Sequence, residues 1–393
     1  MDNEVSFLKS CFAEYYSNHG VTPPERFDRR EYAFMPFGAK LMKRHISFKR
    51  RKDLQSFIAK MVPAHIYYSS AFYRYPDAPT MEEKGWMGAE LIFDLDMDHL
   101  KKGKNLKYED GLKLVKEEFK RLVEDFLLDD FGFEKRYIKL FFSGGRGYHC
   151  HVTDPKVLQL DGNERREIVD YITGIDLDEN LVFRKRVLDV AKVRGRKVAK
   201  SYRLEIPKPD EPGWRGRIGR SVLSIIESIA RGEEDRLKEI GISRKDLEKL
   251  REELSRERME RIMKEGLIDQ STFIKKFFLR ESVRRVAISS VTGETDEPVT
   301  CDIKRLIRLP SSLHGKTGLK VCEIDIDGID DFDPLSDAVV FGDEKIEIVM
   351  EKNFSIEMNG EKFELKKGEC KVPKYLAVFL VGREMAKVKK FET

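Results

Sequence analysis

No stretch of this 393-residue chain approaches the length of apolar sequence needed to cross a bilayer. The opening MDNEVSFLKS carries neither a cationic start nor an apolar core, so a secretory leader is not expected and the chain reads as cytoplasmic. Cysteine is scarce. Cys11, Cys150, Cys301, Cys322 and Cys370 make five, an odd number at wide spacing, with no CxxC pair and no Cys/His cluster of zinc-ligand spacing. A disulfide framework is thereby excluded, and free thiols in a reducing compartment are the simplest account. Net charge is also small: +4 is too little, by itself, to demand a nucleic-acid partner. Internal repeats and low-complexity tracts are absent as well.

What is abundant is charge of both signs. Charged residues reach 37 % and hydrophobic residues 40 %, which describes a very soluble globular protein able to build ion-pair networks and two or three structural units. The cations are unevenly placed. One concentration is KRHISFKRRK at 43–52. The other is FRKRVLDVAKVRGRKVAKSYR at 183–203, with nine basic residues against one acid. Each reads either as a solvated helix face or as a surface that tracks phosphates.

Spacing of apolar residues sets the coarse organisation. Residues 5–16 form a short amphipathic helix, and 107–130 carry Leu112, Val115, Phe119, Leu122 and Phe126 at helical intervals. YIKLFF at 137–142 is a strand. Residues 222–285 read as helical throughout, with Ser243 near an N-cap, and strands return in VTCDI, GLKVCEI, KIEIVM, FSIEM and KFELKK before a last helix near 373–386. Strand-rich segments flanking a helical insert predict an α/β or α+β core interrupted in sequence.

Residues 91–98 read LIFDLDMD. On a strand Asp94, Asp96 and Asp98 share one face, while Phe93, Leu95 and Met97 share the other. Same-face neighbours lie roughly 6.5–7 Å apart, from which two carboxylates can lean onto a pair of cations about 4 Å apart. Oxygen ligands favour Mg²⁺ or Mn²⁺ over zinc. An exposed edge face accounts for the same pattern, and Asp98 at the strand end could cap the turn that follows.

FFSGGRGYHCHV at 141–152 reads as strand, glycine turn and return strand. Its three glycines let backbone N–H groups converge on a phosphate, and Arg146 adds a permanently charged fork. Ser143 and His149 flank the turn as further donors, whereas His151 reads as structural. A plain hairpin explains the glycines alone; it does not require the Arg or the His. Residues 299–321 then place Asp302 at a strand end, followed by Arg305, Arg308, His314, Lys316 and Lys320, one acid amid five cationic groups. This reads as a last metal ligand beside a polyanion site, or as a basic loop with a partnered aspartate. HGKTG is not a P-loop, because Pro310 stands where the first glycine must be.

Together RREYAFMPFG at 29–38, MKRHISF at 42–48, KGWMGAELIFDLDMDHL at 84–100, SGGRGYH at 143–149 and DIKRLIRLPSSLHGKTGL at 302–319 resemble the small catalytic subunit of archaeal and eukaryotic DNA primase. The resemblance covers roughly residues 1–345. It implies a primase fold in which two sheets form a catalytic cleft: core 1–210 and 286–345, helical insertion 211–285, and C-terminal strands plus helix 346–393. It implies Asp94, Asp96 and Asp302 as catalytic, metal-binding residues, and Arg44, Ser143, Arg146, His149, Arg308, His314 and Lys316 as nucleotide and triphosphate contacts. It further implies a large primase subunit as partner, single-stranded DNA as template, and NTPs or dNTPs as substrates. Many relatives carry a zinc-binding insertion between the first two motifs. Leu100 to Phe142 holds no cysteine or histidine, so no zinc is expected there. The expected activity is primer synthesis with two divalent ions. A primase-polymerase of repair or end joining shares the fold. A DxD phosphatase lacks a use for SGGRGYH, and a non-enzymatic nucleic-acid scaffold lacks one for the acids.

Overall fold

The alternation at 91–96 forms a strand, and that strand belongs to one of two four-stranded antiparallel sheets. The computed structural model describes residues 3–99, 106–193, 196–239, 242–268, 271–288 and 299–389. The chain divides into two compact units: Met1–Val123 with Phe133–Val169 and Ser289–Thr393, and Glu124–Gly132 with Asp170–Ile288. In chain order the strands are β1 (Tyr32–Met35), β2 (Lys43–Ile46), β3 (His65–Ser69), β4 (Ala71–Tyr73), β5 (Trp86–Ala89), β6 (Leu91–Asp96), β7 (Ile138–Phe142) and β8 (Gly147–Val152). Next come β9 (Arg184–Val193), β10 (Arg196–Glu205), β11 (Leu267–Ile268), β12 (Leu306–Arg308) and β13 (Cys322–Ile324).

The first sheet of the larger unit has the order β12-β3-β1-β2, the second β13-β7-β8-β6. Register assigns the faces of the second sheet. Phe93 pairs with Cys150 and Leu95 with Tyr148, while Leu140 and Phe142 of β7 pair with the same two β8 residues. This apolar face is covered by the helix Tyr108–Arg121, whose Leu112, Val115 and Phe119 are buried as the helical spacing predicts. The Phe119 ring stacks on Tyr148 at 5.2 Å. Side chains buried this completely contribute about 1.5–3 kcal/mol each. The opposite face carries Ile92, Asp94 and Asp96 of β6 across from His151, His149 and Gly147 of β8.

At the lower end of that face a buried polar cluster ties the two sheets together. Arg30, fully buried just before β1, donates to the Ser69 and Ser70 carbonyls at 2.8 and 3.0 Å and to the Glu90 carboxylate. Glu90 sits just before β6 and lies 3.1 Å from His151 Nδ1, which is 3.3 Å from the Tyr68 hydroxyl on β3. Burial works to raise the Glu90 pKa, but the Arg30 charge and the His151 hydrogen bond overcome it and hold the group at about 2. A charge in this position persists because it is paired and hydrogen-bonded on all sides.

Three expectations are corrected. VTC at 299–301 is one turn of 3-10 helix rather than a strand, so Asp302 follows a tight turn. The strand at 91 ends at Asp96, and Asp98 lies in a 3-10 turn, Met97–His99, outside the alternation. The basic run at 183–203 is not a helix face: Arg184–Val193 and Arg196–Glu205 pair as the antiparallel strands β9 and β10, while residues 194 and 195 lie outside the described residues.

The smaller unit contains that hairpin and the helices Gly213–Ala230, Glu234–Glu239, Arg244–Glu253, Arg256–Glu265 and Thr272–Val286. The 222–285 stretch is largely helical, with the two-residue β11 interrupting it. Ser243, Ser255 and Ser271 each cap a helix by accepting an amide N–H three residues on. After residue 325 the larger unit continues with two small sheets and a buried helix, Lys374–Gly382. Among the described residues no helix is long and apolar enough to cross a membrane.

Candidate active site

A cleft of about 700 Å³ opens in the larger unit, lined by both sheets. The second sheet supplies Asp94 and Asp96 from β6 and His149 from β8; the first supplies Met35 from β1, His65 and Tyr67 from β3, and Leu306–Arg308 from β12. Loops add Ser143, Gly145, Arg146, His314, Lys316 and Thr317, and the end of the last long helix adds Arg383.

Asp94 and His149 are register partners, with His149 Nε2 3.3 Å from Asp94 Oδ1. Arg305 lies 3.9 Å from the other Asp94 oxygen. Asp96 is opposite Gly147, where a side chain is impossible: a Cβ there would stand 2.1 Å from the Leu95 carbonyl oxygen. Burial, reinforced by the charges of Asp98 and Asp94, holds the Asp96 carboxyl above its ordinary range. Asp98 itself pairs with Arg146 at the surface, and its N–H donates to Asp96 Oδ1 at 2.9 Å.

The glycine turn is held from within. Ser143 Oγ accepts from the Gly145 and Gly147 amides at 3.2 and 3.3 Å, which leaves its own proton to donate. Gly144 has φ +75°, and Thr317 Oγ1 donates to its carbonyl at 2.5 Å, locking the SGGRG turn to the HGKTG turn. His314 sits between these turns with Nδ1 3.2 Å from Thr317 Oγ1.

His65, whose ring centroid is 4.9 Å from that of His314, accepts at Nδ1 from both the Gly315 N–H, at 3.1 Å, and the Arg308 guanidinium. Burial, then the Arg308 and Lys316 charges, push the His65 pKa down to about 2; the same causes hold His314 well below its ordinary value. Both shifts favour the neutral imidazole, and His65 serves as an acceptor that aims Arg308. Arg308 also lies over the Tyr67 ring at 4.6 Å.

The structure thus gathers Asp94, Asp96, Ser143, Arg146, His149, Arg308, His314 and Lys316 around one cleft. It does not bring in Arg44, which pairs with the buried Glu31 at 3.0 Å. Asp302 is exposed, with Oδ1 accepting from the Lys304 N–H at 2.8 Å, and is not among the cleft-lining residues. Among the described residues no three His, Cys, Asp or Glu side chains converge closely enough to hold a metal ion.

The sequence did not single out His65, Tyr67, Thr317 or Arg383. Arg383 is held over the rings of Tyr108 and Phe379 at 4.5 and 5.1 Å, and its pKa is lowered by burial and by the Arg146 charge. Its one sequence signal was a lone cation closing the apolar run YLAVFLVG.

A family profile described as DNA primase small subunit matches residues 93–326, which takes in β6, the glycine turn and the Asp302–Leu319 segment. A DNA primase small subunit PriS from Methanothrix thermoacetophila is 41% identical across 99% of this chain and 100% of its own length. Those of Methanococcoides burtonii and Methanosarcina acetivorans are 38% and 40% identical, each across 97% or more of both chains. With the two-sheet cleft and its acid, glycine and basic segments in that order, the chain belongs to the DNA primase small-subunit family.

Proposed function

We propose that the chain makes primers on a single-stranded DNA template from NTPs or dNTPs, in the cytoplasm, together with a large primase subunit. The observation that carries this reading is the opposition, within one cleft, of the β6 carboxylates to Arg146, Arg305, Arg308, Lys316 and Arg383. Acids and cations so arranged suit a metal–triphosphate better than a neutral substrate.

Asp94 and Asp96 offer only oxygen donors, and Asp96 is crowded by like charge. Such a pair fits hard divalent cations, Mg²⁺ or Mn²⁺. Asp94 and Asp96 would hold them; Asp302, exposed and outside the cleft lining, would have to turn inward to join them as a further ligand. The chemistry such cations would supply at these carboxylates is an easier deprotonation of a primer 3′-hydroxyl and compensation of charge on the departing pyrophosphate. The chain's own groups do the rest. Arg146, His149 and Ser143 would face the triphosphate from the glycine turn, His314 and Lys316 from the HGKTG turn locked to it, and Arg308 from β12, while Arg44, held by Glu31 outside the cleft lining, would have to leave that pair to take part. These donors neutralise charge as it develops on the phosphates. No side-chain nucleophile is required, so positioning is the main demand, most of all when two nucleotides must meet without a primer.

The test is a reaction of the purified chain with single-stranded template, labelled nucleotides and Mg²⁺ or Mn²⁺, with and without primer, beside Asp96→Asn. Short unprimed products from the wild type alone support primer synthesis at this cleft. Products that need a supplied primer point to an extending polymerase. Products from both proteins would remove the β6 acids from the chemistry.

A further inference from the structure

The hairpin in the smaller unit is unusual in what it leaves exposed. β9 and β10 are ten residues each, yet among the described residues only Leu204 and Glu205 of β10 pair with a further strand, β11. A two-stranded ribbon with so little support is marginally stable in water. β9 is the free edge of its sheet, and Arg184 to Val190 are exposed throughout.

The charges add to the difficulty. Register places Arg186 directly opposite Arg203, and like charges in that position destabilise an antiparallel pair. Glu265 lies 3.7 Å from Arg203, but the pair is partly exposed and offsets little. On the other face the Lys185 ammonium lies over the Tyr202 ring at 5.0 Å. Val187, Leu188 and Val190 each remain about half exposed, at 49%, 51% and 51%. The single acid within 183–203, Asp189, accepts from the Val190 N–H at 2.8 Å.

We propose that the β9–β10 ribbon is a nucleic-acid contact surface that grips the sugar-phosphate backbone of the template or of the template–product duplex. The ribbon shares no residue with the nucleotide cleft. Three features select this occupant. Opposed cations are relieved by a polyanion. Strand residues rise about 3.4 Å each, close to the roughly 3.4 Å axial spacing of phosphates along one nucleic-acid strand, so alternate cations such as Arg184 and Arg186 keep step with the backbone. The half-exposed aliphatics and Tyr202 supply apolar contacts for sugars and bases. The inference builds on the reading of the chain as template-directed, and its test separates the two.

The experiment compares the full-length wild type with a Lys185→Glu, Arg186→Glu double variant. Both positions are exposed, so circular dichroism and melting are expected to match. Anisotropy of a labelled single-stranded DNA 30-mer and of an RNA–DNA hybrid is followed from 50 to 300 mM salt. Losing two phosphate contacts makes the slope of log Kobs against log salt shallower by roughly 1.4 on the single strand or 1.8 on the duplex. Affinity at low salt should fall by about tenfold or more, with the nucleotide KM unchanged at saturating template. A change confined to one probe identifies which backbone is gripped. Unchanged slope and affinity on both probes overturn the proposal, as does an unchanged slope with lost capture of the large primase subunit, which would make the ribbon a protein-docking surface. Asp96→Asn, run alongside, should keep the wild-type slope; a catalytic failure there leaves the ribbon result standing.

Discussion

His149 Nε2 stands 3.3 Å from Asp94 Oδ1 because the two residues are register partners across β6 and β8. The pairing places an imidazole and a carboxylate on one rigid face, the one proposed to meet the triphosphate and the cations. Sites held on paired strands keep their geometry better than sites on loops. The face is set by the backbone ladder, so a substitution that preserves the strand should alter chemistry without altering the fold.

Asp96→Asn removes one negative charge and keeps the side-chain shape. Nucleotidyl transfer should fall by on the order of a thousandfold, the loss of several kcal/mol of transition-state stabilisation. Melting temperature should stay level or rise, since Asp96 is crowded by Asp98 and Asp94. A folded variant with wild-type turnover would contradict the role given to this face.

Arg383→Ala should raise the KM for nucleotide by about tenfold, the worth of one charge-assisted contact, with a smaller change in kcat. Arg383→Lys should rescue only in part, because the planar guanidinium lies over Tyr108 and Phe379. Steady-state kinetics at fixed template reads both. If KM stays put while stability falls, Arg383 only packs the last helix.

The cleft histidines give stability a definite pH dependence. Unfolded imidazole protonates near pH 6.5, whereas folded His65 does so at about 2, with His314 and the buried His151 also lowered. Below about pH 6.5 the unfolded chain therefore binds more protons, and stability falls as pH falls. Glu90 has the depressed pKa of a paired acid: its contribution is complete above about 4.5 and is lost as pH drops toward 2. Melting temperatures at pH 7.5 and 5.5 thus isolate the histidines. The wild type should lose several degrees, and His65→Asn should lose fewer. An equal loss in both proteins would show that His65 already takes up a proton in the fold.

Arg30→Met leaves Glu90 buried without its main counter-charge and frees the Ser69 and Ser70 carbonyls. Breaking a buried pair from one side costs about 3–5 kcal/mol. Guanidinium unfolding should register that loss, with activity falling as well because the cluster joins the two cleft-forming sheets. A loss below about 1 kcal/mol would mean that Glu90 takes a proton or that water fills the place.

The acid face was legible because a period of two fixes which side chains share a side, and Phe93 and Leu95 mark the buried one. The glycine turn was legible because three glycines within four residues leave few other conformations. The basic run at 183–203 resisted assignment: cations carry no periodic apolar mark, so helix and hairpin fit it equally. VTCDI looked like a strand because β-branched residues favour one, but the tertiary setting closed it into a 3-10 turn. The Arg30–Glu90–His151 cluster and the approach of His65 and Arg383 to the cleft depend on contacts between distant segments, about which local pattern says nothing.

The cleft is assembled from segments far apart in the chain, which bears on how the protein is born. A ribosome releases Met35, His65 and Tyr67 first, then the β6 carboxylates, and the glycine turn with Arg146 soon after. The Arg305–Thr317 segment follows more than a hundred residues later, and Arg383 later still. Before that segment emerges the acids have only Arg146 of the five cations that share their cleft in the finished protein, and a chain cut short before Arg305 lacks the rest of the lining. Competence therefore arrives in one late step, so prematurely terminated chains should neither make primers nor trap nucleotides.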